Sequence, residues 1–334
     1  MKKLKYLYSI GAFIIGFALC FHSCHPGNKY TISTRTNASL EAIALGKKLF
    51  FDKRLSINNS ISCASCHQVA FAFTDRKKLS RGVYGRTAFR NAPSLLNVSF
   101  SPTLMYDGQV PTLEMQALVP LKDHREMGND LPKLIKKLSR IPFYANAAKE
   151  VYDRPFDAWV LTRSLSAFER SLFSTKSKYD LYMAGDKDAL SASAKRGLKL
   201  FSNDFACVGC HPPPLFTSFE TANNGLYKIY GKDKGRYRIT SNKKDIGKFK
   251  IPSLRNVELT FPYMHDGSFQ TLEAVLLHYS QGGKKGVNQD KKIHPFRISP
   301  QNKTDLISFL CSLTDTSYTV NFNQKKDFIL PPFQ

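Results

Sequence analysis

Two short runs, CASCH at 63–67 and CVGCH at 207–211, hold cysteine, cysteine and histidine in one order and spacing. Cys-x-x-Cys-His is the attachment sequence for haem c. Two thiols three positions apart on a tight turn can reach both vinyl groups of one porphyrin. The histidine that follows can present its imidazole to the iron. Cys63, Cys66, Cys207 and Cys210 are therefore expected to carry two covalently bound haem c groups, with His67 and His211 as proximal iron ligands. A redox Cys-x-x-Cys needs no histidine in fifth place. A zinc centre would gather all four cysteines and leave two histidines without a role. Of the seven cysteines, Cys20 and Cys24 fall in the N-terminal leader, and Cys311 sits in the apolar helical pattern DLISFLCSL as a core residue.

The segments that must position these groups also repeat. LGKKLFFD (45–52) and RGLKLFSND (196–204) precede the two sites. Downstream, APSLLNV (92–98) answers IPSLRNV (251–257), and MYDGQVPTLE (105–114) answers MHDGSFQTLE (264–273). That offset is 159 residues, whereas the cysteine pairs are 144 apart, so the second copy carries 15 more residues between attachment site and repeat. The expected fold is mostly α, with two cytochrome-c-like haem domains, 39–185 and 186–318, related by internal duplication and facing a shared interface. STKSKYDLYMAGDKDA (174–189) is the expected crossing. Helical patterns cover about 39–50, 112–120, 130–151, 156–173, 190–202, 271–279 and 301–313, with Ser191 as an N-cap. Strand signals are few, HPPPLF and SQGGKKG read as loops, and the last 15 or so residues read as a surface tail.

The chain has 334 residues, 42% of them hydrophobic, enough for two domains with cores. Its formal charge is +23, with the basic residues spread along the whole sequence, which argues for a solvated surface and against a nucleic-acid partner. Haem propionates would lower the total. MKKLKYLYSIGAFIIGFALCFHSC (1–24) has a Lys-rich start and an apolar run, and reads as a signal for export to the periplasm. Cys24 after Ser23 resembles a bacterial lipoprotein site, with Phe21 an imperfect residue for it. Lipid attachment at Cys24, cleavage nearby and an uncleaved anchor all remain open.

The order CxxCH, RNAPSLLN, DG-x4-LE-x-QAL-x-x-P, EMG, CxxCH, PSLRN, HDG, TLE resembles the bacterial di-haem cytochrome c peroxidases over about residues 40–315. Their superfamily includes the di-haem enzyme that matures methylamine dehydrogenase by oxidising its tryptophans. The resemblance implies that Gln116, Pro120 and Glu126 line the distal pocket of the first haem. Glu126 would be the acid–base, Gln116 the hydrogen-bonding partner, and Pro120 would shape the pocket. It also implies that Asn91 helps hold a calcium ion between the domains, with backbone oxygens at Lys250 to Pro252. Many family members carry a loop histidine over the first iron. The corresponding stretch here, 71–93, has none, and His124 lies beyond it, so a first haem open at rest is expected. The family usually has Trp where this chain has Tyr106, while the one Trp here is Trp159, so the family's inter-haem relay is in doubt.

The second haem should have its sixth position filled. YMHDGSFQTLEAVLLHY (263–279) offers Met264, His265, His278 and Tyr279. In the peroxidases a ligating Met lies seven residues after the Leu of the TLE-type motif. Here that count gives Tyr279, as in the methylamine-dehydrogenase-maturing enzyme. Tyr279 is the first choice, then Met264, then His278. A thioether raises the potential and a phenolate lowers it.

Three functions follow. The first reduces hydrogen peroxide to water with electrons from a small cytochrome c or similar donor. The second oxidises another protein or small molecule through high-valent haem iron. The third is a di-haem electron carrier without catalysis, against which the Gln116, Pro120 and Glu126 set argues. A homodimer is expected from the resemblance.

Overall fold

The computed structural model describes residues 37–319, so the leader with Cys20 and Cys24, and the expected surface tail, lie outside the described residues. The fold is mostly α. The helices run α1 (Leu40–Phe50), α2 (Leu113–Lys122), α3 (Leu131–Leu138), α4 (Pro142–Tyr152), α5 (Ala158–Arg170), α6 (Lys178–Met183), α7 (Ala192–Lys199), α8 (Tyr237–Thr240), α9 (Leu272–Ser280) and α10 (Pro300–Cys311). A two-residue antiparallel pair, β1 (Thr221–Ala222) with β2 (Phe249–Lys250), lies between α7 and α9 in sequence.

Two hydrophobic clusters are built alike. In the first, α1 packs on α5 so closely that a Cβ at Gly46 would stand 1.8 Å from the Ser164 carbonyl oxygen. In the second, α7 packs on α10, and a Cβ at Gly197 would stand 2.0 Å from the Asp305 carbonyl oxygen. Only glycine allows either crossing. Phe50 meets Phe168 at 5.0 Å and Phe73 at 6.2 Å between ring centroids. Phe201 meets Phe309 at 5.1 Å and Phe216 at 5.9 Å. All six rings are buried, each worth about 1.5–3 kcal/mol of transfer free energy.

Local chemistry sets the helix ends. The Ser39 hydroxyl accepts the Ala42 N–H at 3.2 Å, and the Ser191 hydroxyl accepts the Ala194 N–H at 3.1 Å, as its N-cap reading required. Thr112 and Thr271, the repeated threonines, cap α2 and α9 in the same way. The single helix expected over 130–151 is two helices. Pro142 opens α4 and holds Ile141 extended (φ −88, ψ 115), so α3 ends before it. The pattern over 190–202 is helical to Lys199 and then widens into a π turn over Leu200–Asp204. Helix α6, read from sequence as part of the crossing, packs with the second cluster, where Tyr179 meets Phe216 edge-on at 4.9 Å between ring centroids. The buried Arg255 guanidinium holds it there, donating to both Asp180 oxygens at 2.7 and 2.8 Å.

Asn97 and Asn256, 159 residues apart, both adopt left-handed backbone (φ 60 and 59) and each opens a 3-10 turn. Their side chains converge on the crossing segment. Asn97 exchanges hydrogen bonds with the Ser174 main chain at 2.9 and 3.0 Å, and Asn256 donates to the Ser174 hydroxyl at 2.6 Å. The described chain then returns to its beginning, where the Tyr318 hydroxyl accepts the Ala72 N–H at 3.1 Å. No helix among the described residues is long and apolar enough to cross a membrane.

Candidate functional site

Both Cys-x-x-Cys-His runs form the same turn. The Cys63 carbonyl accepts the N–H groups of Cys66 at 3.2 Å and His67 at 2.9 Å; the Cys207 carbonyl accepts those of Cys210 at 3.1 Å and His211 at 2.9 Å. All four sulfurs are free thiols. His67 Nδ1 lies 2.9 Å from the Phe73 carbonyl and His211 Nδ1 lies 3.0 Å from the Phe216 carbonyl. A carbonyl only accepts, so the proton sits on Nδ1 and the Nε2 lone pair is left for a metal. Burial lowers both imidazole pKa values and keeps the rings neutral. Among the described residues no three His, Cys, Asp or Glu side chains gather as a metal cluster, which removes the shared zinc centre. Paired thiols beside one neutral imidazole fit a covalent haem at each turn.

On the first side, Glu126 sits on the turn that follows α2. Met127 N–H donates to the Pro120 carbonyl at 3.1 Å and folds this turn back onto the helix, while Val83 N–H donates to the Glu126 carbonyl at 2.8 Å. Pro120 has no N–H, so the Gln116 carbonyl one turn earlier loses its helical partner. Burial pushes the Glu126 carboxyl up to about 7, with the Asp123 charge adding to the rise. Burial raises the thiols of Cys63 and Cys66, and the Glu126 charge adds to both rises. The Gln116 amide lies 3.9 Å from the Met105 sulfur. His124 points outward, its side chain 72% exposed and 3.7 Å from the Asp123 carboxylate, so it does not cover the site.

On the second side Tyr279 and Met264 both meet Asn224. The Tyr279 hydroxyl is buried, which raises its pKa; it meets the Asn224 side chain and feels the Cys210 and Cys207 charges. The Asn224 amide also donates to the Met264 sulfur at 3.1 Å. His278 is turned away, its Nε2 held by the Asn224 carbonyl at 3.0 Å. His265 is elsewhere again, stacked on Phe249 at 3.8 Å between centroids. Of the four sequence candidates, Tyr279 and Met264 stand together around one asparagine.

Between the two sides lies Tyr106, half-buried, its hydroxyl 3.5 Å from Asn91 Oδ1. The Asn91 amide nitrogen is spent on the Lys77 carbonyl at 2.8 Å, so Oδ1 is the end left for a cation. The extra residues of the second copy form an arm that grips this junction. Arg90 donates to both oxygens of Asp233 at 2.7 and 2.8 Å and to Asp107 at 3.0 Å. Arg238 reaches the same Asp107 carboxylate, fully buried, at 2.8 Å. Lys250 N–H donates to the Tyr106 carbonyl at 2.6 Å.

Sequence reasoning missed Asn224, the Arg90–Asp107–Asp233–Arg238 clasp and Glu169. Asn224 and Asp233 lie in the unrepeated arm and have no counterpart to mark them. Asp107 stood in the repeated Asp-Gly and was the one legible sign. Glu169 on α5 is buried with Oε2 unpartnered, and burial pushes its carboxyl up to about 8; its charge reaches Cys63.

Residues 40–188 match the family described as di-haem cytochrome c peroxidase. The chain is 35% identical over 312 residues to "Cytochrome-c peroxidase IdrP1" of Pseudomonas sp. (strain SCT), covering 83% of this chain and 81% of that one. It is 35% identical over 277 residues to "Methylamine utilization protein MauG" of Methylorubrum extorquens, covering 82% and 78%. The solved structure of "a MauG-like protein associated with microbial copper homeostasis" is 33% identical, covers 87% of this chain and 95% of its own, and superposes with a TM-score of 0.79.

Proposed function

This chain belongs to the di-haem cytochrome c peroxidase family and is an oxidoreductase, and from that premise we propose that it uses peroxide to oxidise an external protein or small molecule through two unlike haems. The two halves, 39–185 and 186–318, are read as copies of one haem domain, with α6 passing from the first stretch of sequence to the second core. The observation that carries the proposal is the seat of Tyr279, half-buried, with Asn224 held between it and the Met264 sulfur. A phenolate there favours oxidised iron and suits sharing of oxidising power more than uptake of electrons from a high-potential carrier.

Haems held by Cys63, Cys66 and His67 and by Cys207, Cys210 and His211 would supply the iron chemistry that reduces peroxide and a store for electrons. The protein supplies the rest. Glu126, with its pKa near 7, takes the proton from one peroxide oxygen and delivers it to the other, so that water can leave. The Gln116 amide donates a hydrogen bond to peroxide, and Pro120 fixes the turn that carries Glu126. Each peroxide becomes two waters with two protons and two electrons, and the substrate gives up both electrons. Tyr106 lies on the path between the halves. A calcium ion on Asn91 Oδ1 and main-chain carbonyls at Lys250 to Pro252 would brace that path; a donor set this poor in carboxylates would bind it weakly. The proposal places the enzyme in the periplasm, with Cys24 either lipidated or lost with the leader.

A second reading, peroxide reduction to water at the expense of a small cytochrome c, is favoured by the likeness to the cytochrome-c peroxidase of Pseudomonas. EPR of the resting ferric holoprotein separates the two. A high-spin signal beside a low-spin signal is expected, and peroxide added without donor should diminish both. Loss of the high-spin signal alone would favour the second reading. Two low-spin signals at rest would overturn the open first haem.

A further inference from the structure

We infer that the Lys250 ammonium is the counter-charge of a haem propionate at the junction between the two halves. The inference rests on the two covalent haems of the reading above and names a residue that tunes them. The junction is built twice over. Asn91 N–H donates to the His265 carbonyl at 2.9 Å, and Lys250 N–H donates to the Tyr106 carbonyl at 2.6 Å. Asn91 and Lys250 lie 159 residues apart, as do Tyr106 and His265, so each half lends one main-chain N–H to the same place in the other. Both donors stand two residues before a proline whose main chain meets a proximal histidine, Pro93 beside His67 and Pro252 beside His211. The junction therefore runs past both attachment sites.

The two equivalent positions differ in what their side chains do. Asn91 is neutral and spends its amide nitrogen on the Lys77 carbonyl of its own half. Lys250 crosses to the first half, where its ammonium donates to the Ser101 hydroxyl at 3.0 Å. That hydroxyl gives its own proton to the Thr103 carbonyl at 2.6 Å and brings no charge. An ammonium has three N–H donors, so two remain for a partner beyond Ser101. Among the described residues no carboxylate pairs with Lys250. The carboxylates of the junction, Asp107 and Asp233, are taken by Arg90 and Arg238. Lys250 is half-buried, and burial pushes its ammonium down to about 8 with no anion to offset the fall, so it stays charged at neutral pH.

A cation drawn out of water with no anion beside it is costly, and a fold keeps one where a counter-charge completes it. The described polypeptide supplies none here. Each haem brings two propionates. These are the carboxylates that covalent attachment would carry toward a junction flanked by both proximal histidines. Paired there, the ammonium favours the reduced haem, because the added electron meets a nearby positive charge. The duplicated junction thus carries a charge in one copy and a neutral amide in the other.

The test uses the holoprotein, its haems counted by pyridine haemochrome, as wild type, Lys250→Gln and Lys250→Arg. In a spectroelectrochemical titration at fixed pH, Lys250→Gln should lower the one-electron reduction constant of at least one haem about tenfold, which is about 59 mV. Lys250→Arg keeps the charge and should stay within about threefold of the wild type. Redox-difference infrared spectra with ¹³C-labelled propionates should show a labelled carboxylate band that moves in Lys250→Gln and moves less in Lys250→Arg. Unmoved potentials or an unmoved labelled band in Lys250→Gln, with both haems present, would overturn the pair alone. A wild type without two covalent haems would overturn the haem reading and the pair with it. The wild type also decides if Lys250→Gln fails to fold. Its potentials should hold when chloride is exchanged for acetate at constant ionic strength. Potentials that follow the anion would give the ammonium a soluble counter-ion and overturn the propionate.

Discussion

The two attachment turns are nearly superimposable in their hydrogen bonds, yet what faces them differs in kind. The first is met by a carboxyl on a braced turn, lifted toward neutral pH by burial, with no imidazole above it. The second is met by a half-buried phenol, an amide and a thioether packed against one another. Two like turns thus meet unlike surroundings. The proximal half of each site is fixed by the duplicated helices. The distal half is free to diverge, because α2 with its following turn and α9 contribute it from residues the core does not need.

The comparison can be broken most sharply at Glu126. Glu126→Gln is expected to lower peroxide turnover about 10²- to 10⁴-fold while both haems still reduce, followed by steady-state assay and dithionite titration. Wild-type turnover should rise with pH through about 7 as the carboxyl loses its proton, and the variant should lose that inflection. Next comes the second side. Tyr279→Met should raise the second haem's potential by roughly 0.1 V or more, within the ~0.8 V that axial ligands span, and leave the first nearly unmoved in a spectroelectrochemical titration. An unshifted second potential would remove Tyr279 as the ligand.

The clasp that holds the two sides together offers a smaller effect. Asp107→Ala leaves Arg90 on Asp233 alone and frees the half-exposed Arg238, and should cost about 2 kcal/mol in urea unfolding of the holoprotein. Smallest is the junction itself. Tyr106→Phe deletes only a long hydrogen bond to Asn91, so stability should change by less than about 1 kcal/mol. Inter-haem transfer in a flash-photolysis measurement should slow several-fold; an unchanged rate would retire the hydroxyl as a relay.

Much of this contrast was legible in the sequence because it rests on local pattern. Cys-x-x-Cys-His and the Ser191 cap are short-range statements, and the folded chain forms a tight turn at each of the two runs and the cap at Ser191. The helix over 130–151 was misread because periodicity outweighed one proline, although Pro142 forces the residue before it out of helix. Asn224 and Asp233 were invisible for another reason. Their meaning lies in contacts with Tyr279, Met264 and Arg90, which only the folded chain brings near, and the arm that carries them has no copy in the first half to compare. Glu169 resembled any helix-end carboxylate until its burial was known.

One remote contact has a consequence for how the molecule is made. Phe73 supplies the carbonyl that orients His67, and its ring lies 6.1 Å from that of Tyr318, whose hydroxyl holds the neighbouring Ala72. The seat of the first histidine is therefore finished by a residue 246 positions after Ala72 in the sequence. The second seat is long-range too, because Phe216, whose carbonyl meets His211, packs on Phe309 at 5.9 Å. Neither histidine is therefore oriented by its own attachment turn alone, and each waits for a segment far along the chain to fold against it.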